Sequence, residues 1–122
     1  MKIYFDSRTG NVERFASSLP FTSERITEQT TATEPFVLIT YTTNFGEVPP
    51  TTKSFLKNNN TLLQGVAVSG NRNWGQLFGK SGDTISSTYN VPLLHKFEFF
   101  GSEKDKKLIK TKIKELDTVE AH

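Results

Sequence analysis

Four short apolar runs, separated by stretches with helical periodicity, constrain the fold of this chain more than any other feature. The runs occupy residues 3–5, 36–39, 66–68 and 91–100. The first three contain no charged residue and stop at polar clusters rich in Gly, Ser, Thr and Asn. Apolar positions that are continuous rather than alternating predict strands covered on both faces, as in a parallel sheet.

Helical patterns fill the intervals between these runs. Asn11 and Ser102 are the predicted N-caps of the first and last helices. Pro50 suits the first turn of the second helix, whereas Gly82 weakens the third. The predicted helices span residues 11–19, 50–58, 78–89 and 102–116.

A further short strand at residues 21–26 would complete a strand–helix alternation along the whole chain. Such alternation predicts an α/β fold with right-handed crossovers and helices on both faces of the sheet. Five strands in so short a chain favour a flavodoxin-like, doubly wound parallel sheet of order 2-1-3-4-5. Since no linker or repeat interrupts the 122 residues, we predict a single domain over 1–122.

Composition excludes several classes of function. The chain has no cysteine, which excludes disulfide frameworks, thiolate zinc sites, iron–sulfur clusters and cysteine nucleophiles. Its net charge of +2 argues against a nucleic-acid partner, and its two histidines argue against a histidine-rich metal centre. No apolar run approaches the ~20 residues of a membrane span, and no signal peptide is evident. We therefore expect a cytoplasmic protein.

The first of three polar loops that follow predicted strands spans residues 6–11. Ser7, Thr9 and Asn11 offer hydroxyl and amide donors, and Gly10 lets the backbone bend closely around a ligand. The start of the next helix favours an anion such as phosphate. An ordinary capped turn explains this loop equally well.

The second loop, residues 42–50, places Phe45 in an otherwise polar segment. Thr42 and Thr43 precede it, and Asn44 and Gly46 flank it. Since asparagine and glycine both reach positive φ, the backbone around Phe45 has two accessible conformations.

The third loop, residues 69–75, holds the only tryptophan of the chain, Trp74, in a glycine-rich turn. Asn71 and Asn73 can bond to the edge of a heterocycle while Trp74 stacks on its face. The alternative is a turn in which Trp74 folds onto the domain. The candidate cofactor-binding residues of this loop are Ser69, Gly70, Asn71, Asn73, Trp74 and Gly75.

Two basic motifs carry less weight. Residues 75–81 resemble a nucleotide-binding phosphate loop but have one residue too few between the glycines. The lysines of the last helix lie opposite its apolar stripe, which is typical of a solvated helix face.

Together the three loops resemble a flavodoxin-type site for flavin mononucleotide (FMN). Residues 7–11 are similar to the flavodoxin phosphate loop of the form S/T-x-T-G-x. Residues 41–49 and 69–75 closely resemble the NrdI family, small flavodoxins that serve class Ib ribonucleotide reductase. The resemblance continues through residues 80–86, 89–92 and 96–98, so it covers nearly the whole chain.

This resemblance implies an accessory flavoprotein that binds FMN without a covalent bond and cycles it through the hydroquinone. Electrons would come from a reductase that the sequence does not identify. The reduced flavin would pass electrons to dioxygen and deliver an oxidant at the superoxide or hydroperoxide level. That oxidant would assemble the dimanganese–tyrosyl radical cofactor in the radical-bearing small subunit of class Ib ribonucleotide reductase.

The resemblance also implies a role for each loop. Ser7, Thr9, Gly10 and Asn11, with Arg8, would hold the phosphate. The segment from Thr43 to Gly46 would border the ring near N5, with Asn44 standing where the family usually has glycine. Asn71, Asn73 and Trp74 would address the other edge and face of the ring. We predict no catalytic side chain and no metal ligand.

The charges of the loops bear on how such a flavin would be tuned. Arg8, Arg72 and Lys80 outnumber Asp6 and Glu47, which would ease full two-electron reduction. Two other functions stay open: a general flavodoxin that carries single electrons, and a flavin-free interaction module that reuses the fold.

Overall fold

A parallel sheet with a helix after four of its five strands forms the computed structural model, which describes residues 1–120. His122 and the end of the predicted 1–122 domain thus lie outside the described residues. Two 3₁₀ segments, Asn60–Leu62 and Arg72–Leu77, flank the fourth strand. In chain order the other elements are β1 (Lys2–Phe5), α1 (Asn11–Ser17), β2 (Ser23–Arg25), β3 (Phe36–Tyr41), α2 (Pro50–Asn59), β4 (Leu63–Gly70), α3 (Lys80–Tyr89), β5 (Leu93–Glu98) and α4 (Glu103–Glu120).

The strand order is β2-β1-β3-β4-β5, and every neighbouring pair is parallel, which confirms the predicted topology. In register, Phe5 pairs with Ile39, and Ile39 pairs with Ala67. Because the strands run in one direction, the loops that follow β1, β3 and β4 all emerge at one edge of the sheet.

The core lies on both faces of this sheet, as continuous apolar strands require. Phe15 of α1 and Ile109 of α4 belong to the cluster on one face. Phe55 of α2 and Ile85 of α3 belong to the cluster on the other. Residues 36–39 of β3 are fully buried between the two clusters, which accounts for the absence of polar residues in that run.

The start of α1 differs from the prediction. The N-cap is Gly10, at φ 91°, and Asn11 is the first helical residue, so the prediction of Asn11 as the cap is wrong. Gly10 makes no side-chain cap bond, but the Ser7 hydroxyl accepts a hydrogen bond from the Glu13 N–H at 3.2 Å. A glycine turn with a distant serine therefore replaces the local asparagine cap.

The start of α4 agrees with the prediction. The Asp105 N–H donates to the Ser102 hydroxyl at 3.2 Å, and the Asp105 carboxylate accepts from the Ser102 N–H at 2.8 Å. This reciprocal pair is a capping box. Just before it, Phe99 at φ 50° ends β5 earlier than the apolar run predicted.

Candidate functional site

A cavity of about 400 Å³ lies at the edge of the sheet where the three loops emerge. This volume is within the usual range for small-ligand sites, about 300–1,000 Å³. The cavity unites most of the site residues predicted from the sequence. From all three loops it is lined by Ser7, Arg8, Thr9, Asn11, Thr42, Thr43, Asn44, Gly46, Ser69, Gly70, Asn71 and Trp74.

Four predicted site residues lie outside the cavity lining. Gly10 is the left-handed N-cap of α1, and Gly75, at φ 58°, makes a kink within the 3₁₀ segment Arg72–Leu77. The Asn73 N–H donates to the Asn71 side-chain oxygen at 2.9 Å, so Asn73 serves to shape the loop. Phe45 is 81% exposed. In the structure, Gly10, Gly75 and Asn73 shape the loop backbone.

The second loop forms a closed hairpin. The backbones of Thr43 and Glu47 exchange two hydrogen bonds, at 3.0 and 2.8 Å. Asn44 and Gly46 have φ values of 50° and 92°, so both adopt the positive φ that the sequence allows them. The Asn44 amide also donates to the Glu47 carboxylate at 3.1 Å, which leaves Phe45 projecting between them.

Ser81, which sequence reasoning did not select, fixes the base of this hairpin. Its buried hydroxyl donates to the Tyr41 carbonyl at 2.7 Å. Because that bond uses the serine proton, the Thr42 hydroxyl is the donor in its 3.0 Å contact with Ser81. The Ser81 N–H in turn donates to the Thr42 hydroxyl oxygen at 3.2 Å. Helix α3 thus holds the second loop in place.

The third loop presents Trp74 half-exposed, at 52%, on the wall of the cavity rather than within the core. The backbone N–H of Trp74 donates to the Asn71 carbonyl at 3.0 Å. The Arg72 guanidinium bonds the Glu98 carboxylate at 3.0 Å and lies over the Phe78 ring. Pairing with Glu98 offsets Arg72, so the positive surplus expected from the loop charges is smaller than the sequence indicated.

Further lining residues come from segments outside the predicted loops. Tyr41 ends β3, and burial followed by the nearby Asp6 raises the pKa of its phenol. Phe99 is drawn to the third loop because its carbonyl accepts from the Ser69 hydroxyl at 2.6 Å. Phe99 follows the last strand directly, and this position in the sequence could have identified it as a candidate site residue. The lining residues that the sequence did not indicate are Val12, Tyr41, Leu77, Phe78, Gly79 and Phe99.

Electrostatically the cavity is weakly charged. Arg8 lines it, whereas Asp6, the first residue of the first loop, is 8% exposed and is not among the lining residues. Burial raises the pKa of Asp6, and a hydrogen bond from Thr52 acts in the opposite direction. Within residues 1–120, no group of three or more His, Asp or Glu side chains could hold a metal ion, and no helix could span a membrane.

Two comparisons with known sequences match most of this chain to the same family. A family model described as "NrdI Flavodoxin like" matches residues 3–111. The protein NrdI of Bacillus licheniformis is 51% identical over 119 residues, which cover 97% of this chain and 91% of that protein.

Two solved flavodoxin structures share the architecture. A short-chain flavodoxin associated with a non-canonical PDU bacterial microcompartment superposes with a TM-score of 0.77 at 19% identity, over 97% of this chain and 96% of the other. A flavodoxin of Streptococcus pneumoniae gives a TM-score of 0.71 at 22% identity, over 96% and 97% of the respective chains. At these identities the likeness establishes the fold.

Proposed function

Because the chain belongs to the NrdI flavodoxin-like family, we propose that it is the flavoprotein that activates the small subunit of class Ib ribonucleotide reductase. Membership of the family implies FMN as the cofactor and supports a role with ribonucleotide reductase. The finer proposal has three parts: the residues that hold FMN, the use of dioxygen, and the assembly of a dimanganese–tyrosyl radical cofactor. The protein would act in the cytoplasm.

The shape and chemistry of the cavity support FMN as its ligand, and this is the observation that carries the proposal. The first loop offers the hydroxyl groups of Ser7 and Thr9 and the guanidinium of Arg8, which suit a phosphate. The third loop offers the half-exposed Trp74, which suits the face of an aromatic ring. FMN carries a phosphate at one end and a flavin ring at the other.

The remaining loop residues would complete the site. Asn11, after Gly10, would add to the phosphate contacts, and Asn71 would bond the polar edge of the ring. The hairpin from Thr43 to Gly46 would border the ring near N5. Its tip, Phe45, is exposed to solvent and would contact the partner subunit rather than the flavin.

When bound, FMN would supply the redox chemistry, including the transfer of electrons to dioxygen. The chain would bind and orient the cofactor through the three loops that line the cavity. Trp74 is half-exposed and Phe45 is exposed, so both side chains would be accessible to a partner protein. Electrons would come from a separate reductase and would enter and leave through the bound flavin, because the chain has no cysteine to serve as a second redox group.

The test begins with FMN titration of the purified protein and reduction of the bound flavin without oxygen. The reduced protein is then mixed with dioxygen and the manganese-loaded small subunit, and the tyrosyl radical is measured by electron paramagnetic resonance. We expect radical formation here and none with a general flavodoxin in its place. Failure to bind FMN would favour a flavin-free interaction module. Binding without radical formation would favour a one-electron carrier.

A further inference from the structure

A buried carboxylate lies where the first loop leaves the sheet. Asp6 follows β1 and is 8% exposed, and none of the ion pairs found among the described residues includes it. Its carboxylate instead accepts a hydrogen bond from the Thr52 hydroxyl at 2.7 Å. A buried charge is costly unless it is hydrogen-bonded, so this contact ties Asp6 to Thr52.

The hydrogen bond continues beyond Thr52. The hydroxyl oxygens of Thr52 and Thr40 lie 2.8 Å apart, and both threonines are fully buried. Because Thr52 gives its only hydroxyl proton to the carboxylate, Thr40 is the donor in the second contact. The result is a directed chain from Thr40 through Thr52 to Asp6, which joins β3, α2 and the first loop.

Asp6 also serves the start of α2. The N-cap of this helix is Pro49, which makes no side-chain cap bond, and the first turn of the helix contains no acidic residue. The carboxylate of Asp6 supplies the negative charge that favours a helix N-terminus, from a different part of the chain. Arg25 is the nearby cation that acts on Asp6, and Tyr41 is the other titratable group that feels its charge.

The two threonines lie on either side of the second loop. Thr40 is close to the end of β3, and Thr52 lies in the first turn of α2, so the loop of residues 42–49 runs between them. We propose that Asp6 is a positioning residue that fastens both ends of the second loop to the start of the first. This inference rests on the proposed function, because it assigns the two loops to opposite parts of one FMN molecule.

The test compares two substitutions at Thr52. Thr52→Val keeps the shape of the side chain but removes both hydrogen bonds, whereas Thr52→Ser keeps the hydroxyl. Dissociation constants are measured by quenching of flavin fluorescence for FMN and for riboflavin, which lacks the phosphate. Loss of one net hydrogen bond corresponds to about fivefold in affinity. Because Thr52→Val removes two such bonds, we expect it to weaken the binding of both flavins by about fivefold or more, and we expect Thr52→Ser to restore binding.

A control at the far end of α2 separates positioning from general stability. Asn59 is buried and accepts from the Ala32 N–H at 2.8 Å. Asn59→Ala should therefore lower the free energy of unfolding while it leaves both flavin affinities unchanged. If Thr52→Val does not fold, Thr40→Val tests the β3 end of the chain alone, because it removes the bond to Thr52 and keeps the bond between Asp6 and Thr52.

Two results would overturn the inference. One is a folded Thr52→Val protein that binds both flavins as the parent does; the same result with Thr40→Val would refute the fastening of the β3 end of the loop. The other is a loss confined to FMN, which would place the effect at the phosphate and not at the second loop. Absence of FMN binding by the parent protein would instead refute the proposed function, so the two failures are distinct.

Discussion

Replacing Gly82 by alanine is expected to destabilise the protein, although alanine is the better helix former. Gly82 lies in α3 where the helix packs against the sheet. A Cβ atom at this position would lie 2.7 Å from Cγ1 of Val68 and 2.9 Å from Cδ1 of Leu93. Both contacts are shorter than van der Waals separation and involve side chains of strands β4 and β5, so the helix must shift or the side chains must leave their rotamers.

Two opposing effects determine the sign of the change. Alanine in place of glycine gains up to about 1 kcal/mol of intrinsic helix propensity, the value for a helix interior, and Gly82 is the third residue of α3. An added methyl group in a well-packed core costs about 1–3 kcal/mol. Because Val68 is fully buried and has little room to move, we expect the second effect to win by about 1 kcal/mol. For a domain of this size, that loss corresponds to a fall of about 3–5 °C in Tm.

The assay is urea unfolding of Gly82→Ala and of a matched pair at Ser87, an exposed position of the same helix. Ser87→Ala should be more stable than Ser87→Gly by about 1 kcal/mol, which measures the propensity gain within α3 itself. We also expect Gly82→Ala to bind FMN more weakly, since the neighbouring Ser81 holds the base of the second loop. A Gly82→Ala protein that gains stability as the Ser87 pair does would refute this reasoning.

Three further predictions concern the third loop and the start of α4. Trp74→Ala should weaken FMN binding by ~1 kcal/mol or more in a fluorescence titration, with Trp74→Phe intermediate; unchanged affinity would place Trp74 away from the ring. Ser102→Ala should lower the free energy of unfolding, measured in urea, by about 1 kcal/mol. Ser102→Thr should retain most of the stability of the parent protein. Burial raises the pKa of Asp105, but hydrogen bonds from Ser102 and His95 outweigh burial, so the pKa lies below its ordinary value of 3.8. Its contribution to stability should thus be complete above 3.8 and disappear as the pH falls through the lowered value. Urea unfolding of the parent and of Asp105→Asn should differ at neutral pH and converge in acid, and a constant difference would contradict the assignment.

Much of the fold follows from local patterns that the sequence displays directly. The run at residues 36–39 is apolar at every position because β3 is covered on both faces, and that pattern identifies a central parallel strand. The polar residues that follow β1, β3 and β4 mark the site, since parallel strands bring these loops to one edge. The resemblance of two loops to one family is likewise a property of the sequence alone.

The positions that sequence reasoning misread have two different causes. Asn11 has the right chemistry for an N-cap, but the neighbouring Gly10 takes that position because the chain turns there with positive φ. Gly82 looks like a weakness in α3 until Val68 is seen to occupy the space of its missing side chain. The first cause is local, whereas the second is a contact with a distant strand that the residues next to Gly82 do not reveal.

The sequence by itself therefore determined the alternation of strands and helices and the polar loops of the candidate site. Periodic burial and polar loop ends are local properties that define these features, and the alternation is typical of the doubly wound strand order that the structure confirms. Only the tertiary structure decided how the site is held in shape. Asp6 meets Thr52 across 46 positions of the chain, and Ser81 meets Thr42 across 39. Such hydrogen bonds form only after helices have packed on the sheet, so the sequence pattern carries no local sign of them.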